Sequence, residues 1–257
     1  MTELLDAIYG DRQKKKDTPK KSKKKTETDK KNLSIKKFDF NGMIINYPDT
    51  TDEWIIIQEN LISDQYHKLN PQPDDVIIDI GANIGTFALR YAQLCKRVVA
   101  FEPEPYNFAL LERNIKENGI TNIIAVNSPV SYHDKTMTLN IARNLSGHSL
   151  RATQNAIGIK VKAAEINTVI REYQPNKIKM DAEYSEYDII PAMSNESFDQ
   201  IESMVIEFHF SRGFEKFLPG YRQCLDILKK EFSYTDCDKF KSQSKIWVTL
   251  EYFSKKH

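Results

Sequence analysis

The sequence predicts an α/β fold, a mostly parallel open sheet with helices on both faces, and three observations carry that prediction. Residues 76–104, VIIDIGANIGTFALRYAQLCKRVVAFEPE, read as a strand, a glycine turn, a helix and a second strand. Val76 to Ile80 is a short apolar run bounded by turn residues, which suits a strand covered on both faces. Comparable runs recur at Ile123 to Val126, Lys177 to Met180 and Ser203 to Phe210. At 257 residues the chain is long enough for one domain of this kind with extensions.

In chain order, Ile35 to Phe40 and Met43 to Tyr47 flank Asn41-Gly42, the strongest short signal for a hairpin. Thr51 and Asp52 offer an N-cap to a helix over Glu53 to Leu69, spaced through Trp54, Ile57, Leu61 and Ile62 and stopped by Pro71 and Pro73. It is expected to pack over the ligand cleft. After the first sheet strand, Thr86 to Leu94 is helical and Val98 to Phe101 is the second strand. Pro105 occupies a helix start, and Tyr106 to Asn118 runs through Phe108, Leu111 and Ile115 to the stop at Asn118-Gly119. Ile123 to Val126 is the third strand. The pattern weakens from Asn127 to Val161, where Met137 to Ile141 and Ile157 to Ala163 read as an antiparallel insertion around the polar loop Asn144 to Leu150. Lys177 to Met180 resumes the sheet. Ser203 to Phe210 is the fifth strand, with Ile206, Phe208 and Phe210 on one face and Glu207 and His209 on the other. A helix over Phe214 to Phe232 and a closing strand over Ile246 to Phe253 complete the chain.

Composition divides the molecule. Residues 11–37 hold thirteen Lys and Arg against four acids, net +9; with two more acids in residues 1–10 and a whole-chain charge of +1, residues 38–257 sum to −6. No aromatic residue lies between Tyr9 and Phe38, so the reading is a disordered Lys-rich arm over residues 1–37 and a folded body over 38–257. The arm is either a solvated tail or a segment that meets nucleic acid or an anionic surface through phosphate charge. Cys95, Cys224 and Cys237 are odd in number and show no CxxC pairing, so neither a disulfide framework nor a zinc ribbon is indicated. With no bilayer-length apolar run and no signal segment, the expectation is a soluble, intracellular, cytoplasmic protein. Oligomeric state is not legible.

In an open α/β sheet ligands bind beyond the carboxyl ends of the strands. The candidate cofactor residues are therefore Asp79, Gly81, Asn83 and Gly85 around the first strand, Glu102 at the tip of the second, and Asn127 with Ser128 after the third. Glu102 stands about twenty residues past the glycine turn, where an acid accepts hydrogen bonds from ribose hydroxyls. The turn reads GANIG rather than GxGxxG, and the missing middle glycine disfavours a pyrophosphate. A cofactor with a ribose but no phosphate fits. These residues resemble the first two motifs of class I S-adenosylmethionine-dependent methyltransferases, whose Rossmann-like sheet the resemblance implies for residues 74–257, with 38–73 as an N-terminal hairpin and helix.

DIGANIGTFALRYA, VVAFEPEPYNFALLERNI, NLSGHSL, KIKMDAEYSEYDII and VIEFH, in that order over roughly residues 74–210, resemble the FkbM-type methyltransferases. The resemblance implies S-adenosylmethionine as cofactor and O-methylation of a hydroxyl on a sugar, nucleoside or other small molecule. Where that family has Asp-x-Glu-Gly, this chain has Asp181-Ala182-Glu183-Tyr184, and the tyrosine closes backbone space near the acceptor. Methyl transfer needs the acceptor oxygen held in line and relieved of its proton, so Asp181 and Glu183 are the candidate bases and His209 the alternative. The favoured reading assigns no metal; a divalent cation held by carboxylates and a histidine at this sheet edge is the other. Two rivals remain open. One is an RNA methyltransferase using the basic arm, although no Asp/Asn-Pro-Pro-Tyr/Phe tetrad follows the fourth strand. The other is a cofactor-binding scaffold without turnover.

Overall fold

The structure, a computed structural model, describes residues 34–141, 149–150, 157–210, 216–241 and 247–255. Most of the basic arm, most of the Asn144 to Leu150 loop and the start of the Phe214 to Phe232 segment lie outside the described residues.

Strands β1 (Ile35–Phe40) and β2 (Met43–Pro48) form the expected antiparallel hairpin, turning at Asn41 (φ 53°) and Gly42 (φ 87°). Lys36 and Lys37, counted with the arm from sequence, already belong to β1, so the arm's boundary moves back before Ile35. Thr50 then caps α1 (Thr51–Ile57) by accepting from Glu53 N. The long helix expected up to Leu69 is instead broken. A π-helical turn over Gln58–Ile62 follows α1 directly, and Ser63 N reaches back to Gln58 O at 2.8 Å, widening that turn. Arg90 supplies the cause: its guanidinium donates to Leu61 O and to the Asp64 carboxylate, and Asp64 adopts φ 50°. A 3₁₀ turn over His67–Leu69 then leads into the sheet.

That sheet has seven strands in the order β12-β13-β11-β10-β3-β4-β5: β3 (Val76–Ile80), β4 (Arg97–Phe101), β5 (Ile123–Val126), β10 (Lys177–Met180), β11 (Ser203–Phe210), β12 (Phe232–Lys241) and β13 (Trp247–Lys255). The pairings from β5 across to β11 are parallel, and β13 runs antiparallel to both β11 and β12. The chain first winds from β3 out to β5, then returns to place β10 on the other side of β3. The order reverses there, which makes the carboxyl ends of β3 and β10 the binding crevice.

Helices cover both faces. Ile78, Ile80, Val99 and Phe101 pack with Ile166, Val169 and Ile170 of α4 (Ile166–Tyr173), Ile189 of α5 (Glu186–Ile189), Phe198 of α6 (Asn195–Gln200), and Cys224 and Leu228 of α7 (Leu218–Glu231). The alternate residues Ile77, Val98 and Ala100 face Phe87, Ala88 and Tyr91 of α2 (Thr86–Tyr91) and Leu111 of α3 (Pro105–Glu117). Neither α4 nor α6 was expected from sequence, nor was β12, whose start at Phe232 ends the last helix at Glu231. The insertion is as expected, β7 (Thr136–Ile141) pairing antiparallel with β8 (Ile157–Lys162), while a short parallel pair of β6 (Val130–Ser131) with β9 (Ala164–Glu165) was not expected from sequence.

The hairpin is bound to α3 by two asparagines. Asn114 Oδ1 accepts from Asn46 N and its Nδ2 donates to Asn46 O; Asn118 Oδ1 accepts from Ile44 N and its Nδ2 donates to Ile44 O. Beneath them Ile45, Ile57, Leu61, Leu89 and Leu110 are all but fully buried, so the hairpin and α1 share a core with the sheet domain. Among the described residues no helix is long and apolar enough to cross a membrane.

Candidate active site

A cavity of about 340 Å³ opens at the carboxyl ends of β3, β4, β10 and β11, within the size range of small-molecule sites. Its floor is the glycine turn after β3. Gly81 takes φ 79°, and a Cβ there would lie 1.9 Å from the Asp181 carbonyl oxygen, so glycine is required by the close approach of two backbone segments. Asn83 follows at φ 51°, with its side-chain oxygen buried and without a hydrogen-bond partner. Glu102 is buried beside it. One carboxylate oxygen accepts from Asn83 N and the other from Glu104 N, both at 2.8 Å. Each oxygen keeps a lone pair for a further donor. Burial, aided by the charge of Glu104 and opposed by those two backbone bonds, raises this carboxyl to about 8. The roof comes from α1 and the π-helical turn, which contribute Ile55, Ile56, Glu59 and Asn60, as the sequence reading expected of this segment. Asn60 fixes the turn to α2 by donating to Thr86 Oγ1 at 2.7 Å.

The far wall carries the titratable groups. Asp181 and Glu183 follow β10, while Glu207 and His209 stand two residues apart on β11 and so face the same side. His209 is buried; its Nδ1 lies 2.9 Å from Glu186 Oε1, and its Nε2 lies 3.7 Å from Asp181 Oδ1, 3.8 Å from Glu183 Oε1 and 3.7 Å from Glu207 Oε1. Burial alone would lower its pKa, but Glu183, Glu186 and Asp181 outweigh that and hold the ring well above its ordinary value. Burial lifts the Glu183 carboxyl to about 7, with His209 opposing and Asp181 and Glu186 adding. It lifts Glu207 to about 8, with Asp181 adding and His209 and Lys179 opposing. Glu183 and Tyr184 both have positive φ, 47° and 76°. The second is a conformation that favours glycine, so Tyr184 holds it at a steric cost. Its ring leans on His209 and Phe217, centroids 5.6 and 5.4 Å away.

The structure thus brings Gly81, Asn83, Glu102, Asp181, Glu183 and His209 to one cavity and leaves four expected cofactor residues outside its lining. Asp79 is fully buried under the turn and ion-paired to Lys179 Nζ at 3.0 Å. Gly85 faces Leu111, whose Cδ1 would lie 2.5 Å from an added Cβ, so that glycine serves helix packing. Asn127 spends its amide on Glu102 O, and Ser128 donates to Lys162 O; both tie loops together, and Pro129 and Val130 reach the cavity instead. Three contributors went unread in the sequence. Lys179 is 3% exposed, donates to Gly81 O at 2.8 Å, and lies over the rings of Tyr66 and Phe87. Asp79, Asp181 and Glu207 together outweigh its burial and hold its ammonium above the usual range. Tyr66 donates to Glu207 Oε2 at 3.1 Å, and Glu186 anchors His209.

The profile of the methyltransferase FkbM domain matches residues 79–238. Methyltransferase 1 of Beauveria bassiana is 24% identical over 186 residues, 61% of this chain and 74% of its own length. Hexuronic acid methyltransferase AglP of Haloferax volcanii is 26% identical over 148 residues, 54% of this chain and 57% of its own. Among solved structures, Trm5b from Pyrococcus abyssi superposes with a TM-score of 0.55 at 13% identity over 87% of this chain and 56% of that one, a likeness of fold. The chain spans little more than half the length of these last two proteins. With the domain match covering well over half of its length and the crevice at the switch point where the fold puts its ligand, the chain belongs to the FkbM family of S-adenosylmethionine-dependent methyltransferases.

Proposed function

We propose that the protein methylates a hydroxyl oxygen on a small molecule of the sugar or polyhydroxy class. The observation that carries this reading is the wall of Asp181, Glu183 and His209 across the cavity from Glu102, a base-bearing surface facing a ribose-binding one. The residues fit the cofactor: Asn83 Oδ1 is a buried acceptor with no partner, Glu102 keeps open lone pairs, and no lining residue is a phosphate-binding arginine among those described. S-Adenosylmethionine, held by Asn83 and Glu102, would supply a sulfonium methyl for transfer to the acceptor oxygen, its sulfur leaving with the electron pair. Glu183 takes the hydroxyl proton, its carboxyl being raised towards neutrality, while Asp181 orients the acceptor. Ile55, Ile56 and Phe87 keep the reacting face apolar, which limits competing water. The name of the AglP relative, a hexuronic acid methyltransferase, supports a carbohydrate acceptor.

A second reading, RNA as acceptor, is favoured by the charge of +9 over residues 11–37. A labelled-methyl screen over fractionated metabolites and total RNA separates the two. The expected result is label in hydroxylated small molecules, lost in Glu183→Gln with cofactor binding retained. Label confined to RNA would overturn the small-molecule reading.

A further inference from the structure

The acidic wall has one property that acid–base work does not require: Asp181, Glu207 and His209 bring one ligand atom each together, while the other polar atom of Glu207 and of His209 is hydrogen-bonded from outside. Asp181 Oδ1, Glu207 Oε1 and His209 Nε2 face each other, and one ligand atom from each of the three residues lies within 4.8 Å of the others. Behind them, Asp181 Oδ2 lies 3.8 Å from Lys179 Nζ, Glu207 Oε2 accepts from Tyr66, and His209 Nδ1 is bonded to Glu186. A ring that gives its Nδ1 proton to a buried carboxylate turns the Nε2 lone pair outward, the orientation that metal-binding imidazoles take. His209 is 5% exposed, and no hydrogen bond from its Nε2 is found among the described residues.

The spacing suits an ion. Separations of 3.7 Å are too long for hydrogen bonds. Ligands about 2.1 Å from a shared ion lie about 3 Å apart when adjacent and about 4.2 Å apart when opposite, so the observed gap falls between those limits. Charge agrees with geometry. The described lining holds six carboxyl groups, from Asp52, Glu59, Glu102, Asp181, Glu183 and Glu207, against two basic side chains, His209 and Lys179, the second of which is already paired to Asp79.

We propose that Asp181, Glu207 and His209 hold a divalent cation of the Mg²⁺ or Mn²⁺ class, its remaining positions open to the cavity for the oxygens of a hydroxylated acceptor. Two carboxylates and one imidazole form an oxygen-rich donor set with one nitrogen, which suits these ions. The acceptor role rests on the hydroxyl-methylation reading; the binding does not. There the ion draws charge from the coordinated hydroxyl, and Glu183, left outside the donor set, receives the proton. Tyr66 and Glu186 are positioning residues that aim the ligands.

The test is titration of full-length protein with Mn²⁺ alone, followed by loss of the free-ion electron paramagnetic resonance signal, without cofactor or acceptor. One site is expected in the wild type. Asp181→Asn and Glu207→Gln should each weaken it at least tenfold, and Tyr66→Phe by about tenfold, the low end for loss of an outer partner. S-Adenosylmethionine affinity and melting temperature serve as controls, and Asp181→Asn, on a partly exposed loop, guards against variants that fail to fold. Wild type that leaves Mn²⁺ free at millimolar concentration, or variants that bind it equally, overturns the site and leaves His209 as an imidazolium among acids. Methyl transfer undiminished by EDTA overturns the ion's role in the reaction. Failure to find a small-molecule acceptor, by contrast, leaves the binding result standing.

Discussion

Replacing Lys179 with methionine is the sharpest perturbation of the site's foundations. The ammonium is 3% exposed, sits 3.0 Å from an Asp79 carboxylate that is itself fully buried, and also bonds the Gly81 carbonyl at 2.8 Å. Neither Asp79 oxygen has a well-formed hydrogen bond, so the lysine's charge is the main compensation for that carboxylate. Removing one partner of a buried pair typically costs about 3–5 kcal/mol, because the other charge is left uncompensated. Lys179→Met should therefore lose about that much in urea unfolding at neutral pH, and the loss should shrink in acid, where Asp79 takes up a proton. Adding Asp79→Asn removes the stranded charge and leaves an unsatisfied amide, a cost of about 1–3 kcal/mol, so the double variant should be more stable than Lys179→Met alone. If Lys179→Met lies within about 1 kcal/mol of wild type, or the double variant is no better than the single, the pair is not what supports the glycine turn.

Glu102→Gln should weaken S-adenosylmethionine binding roughly tenfold or more by calorimetry, the scale of charge-assisted bonds to two hydroxyls. The raised Glu102 carboxyl fixes a sign: the native protein keeps a proton up to about pH 8 that the unfolded chain releases near 4.5. Its contribution to stability is therefore present in acid and lost as pH rises towards 8, and Glu102→Gln should flatten that slope in melting scans. Cofactor affinity moves oppositely, strengthening as the carboxylate ionises, with proton release measurable by calorimetry in buffers of different ionisation enthalpy. Asp181→Asn should leave cofactor affinity near normal while methyl transfer falls about a hundredfold. Deleting residues 1–33 should leave melting temperature and cofactor affinity unchanged and abolish any salt-dependent binding to RNA; equal RNA binding by both forms would remove the arm from the argument.

Legibility in the sequence followed the range of the interaction. Asn41-Gly42, the GANIG turn and Pro105 announced the hairpin, the first crossover and α3, because each acts within a few residues. Glu102, Asp181, Glu183 and His209 line one cavity because the topology sends strand ends to one place. Lys179 was missed because nothing in KIKM says that the opposite strand carries an acid at the same level; only the register, Lys179 beside Asp79, reveals it. Asp79, Gly85, Asn127 and Ser128 lie outside the cavity lining, where residues near the turn brace it. The helix expected to run on to Leu69 breaks under the pull of Arg90, a contact 26 residues away at Asp64, beyond any local periodicity. Helices α4 and α6 are short, eight and six residues, too brief for spacing alone to declare them.

The paired asparagines on α3 have a consequence for what the molecule avoids. Four residues of helix advance about 6 Å and two residues of strand about 6.8 Å, so Asn114 and Asn118 meet Ile44 and Asn46 almost in step. Each carboxamide offers the same donor and acceptor that a neighbouring peptide group would offer, and the outer edge of β2 is thereby filled by side chains acting as a third strand. An unfilled strand edge is a template on which another extended chain can zip. Here the main-chain groups that such a chain would need are occupied before it arrives, so this edge of the hairpin is closed to sheet-to-sheet aggregation by two residues from a helix some seventy positions further along.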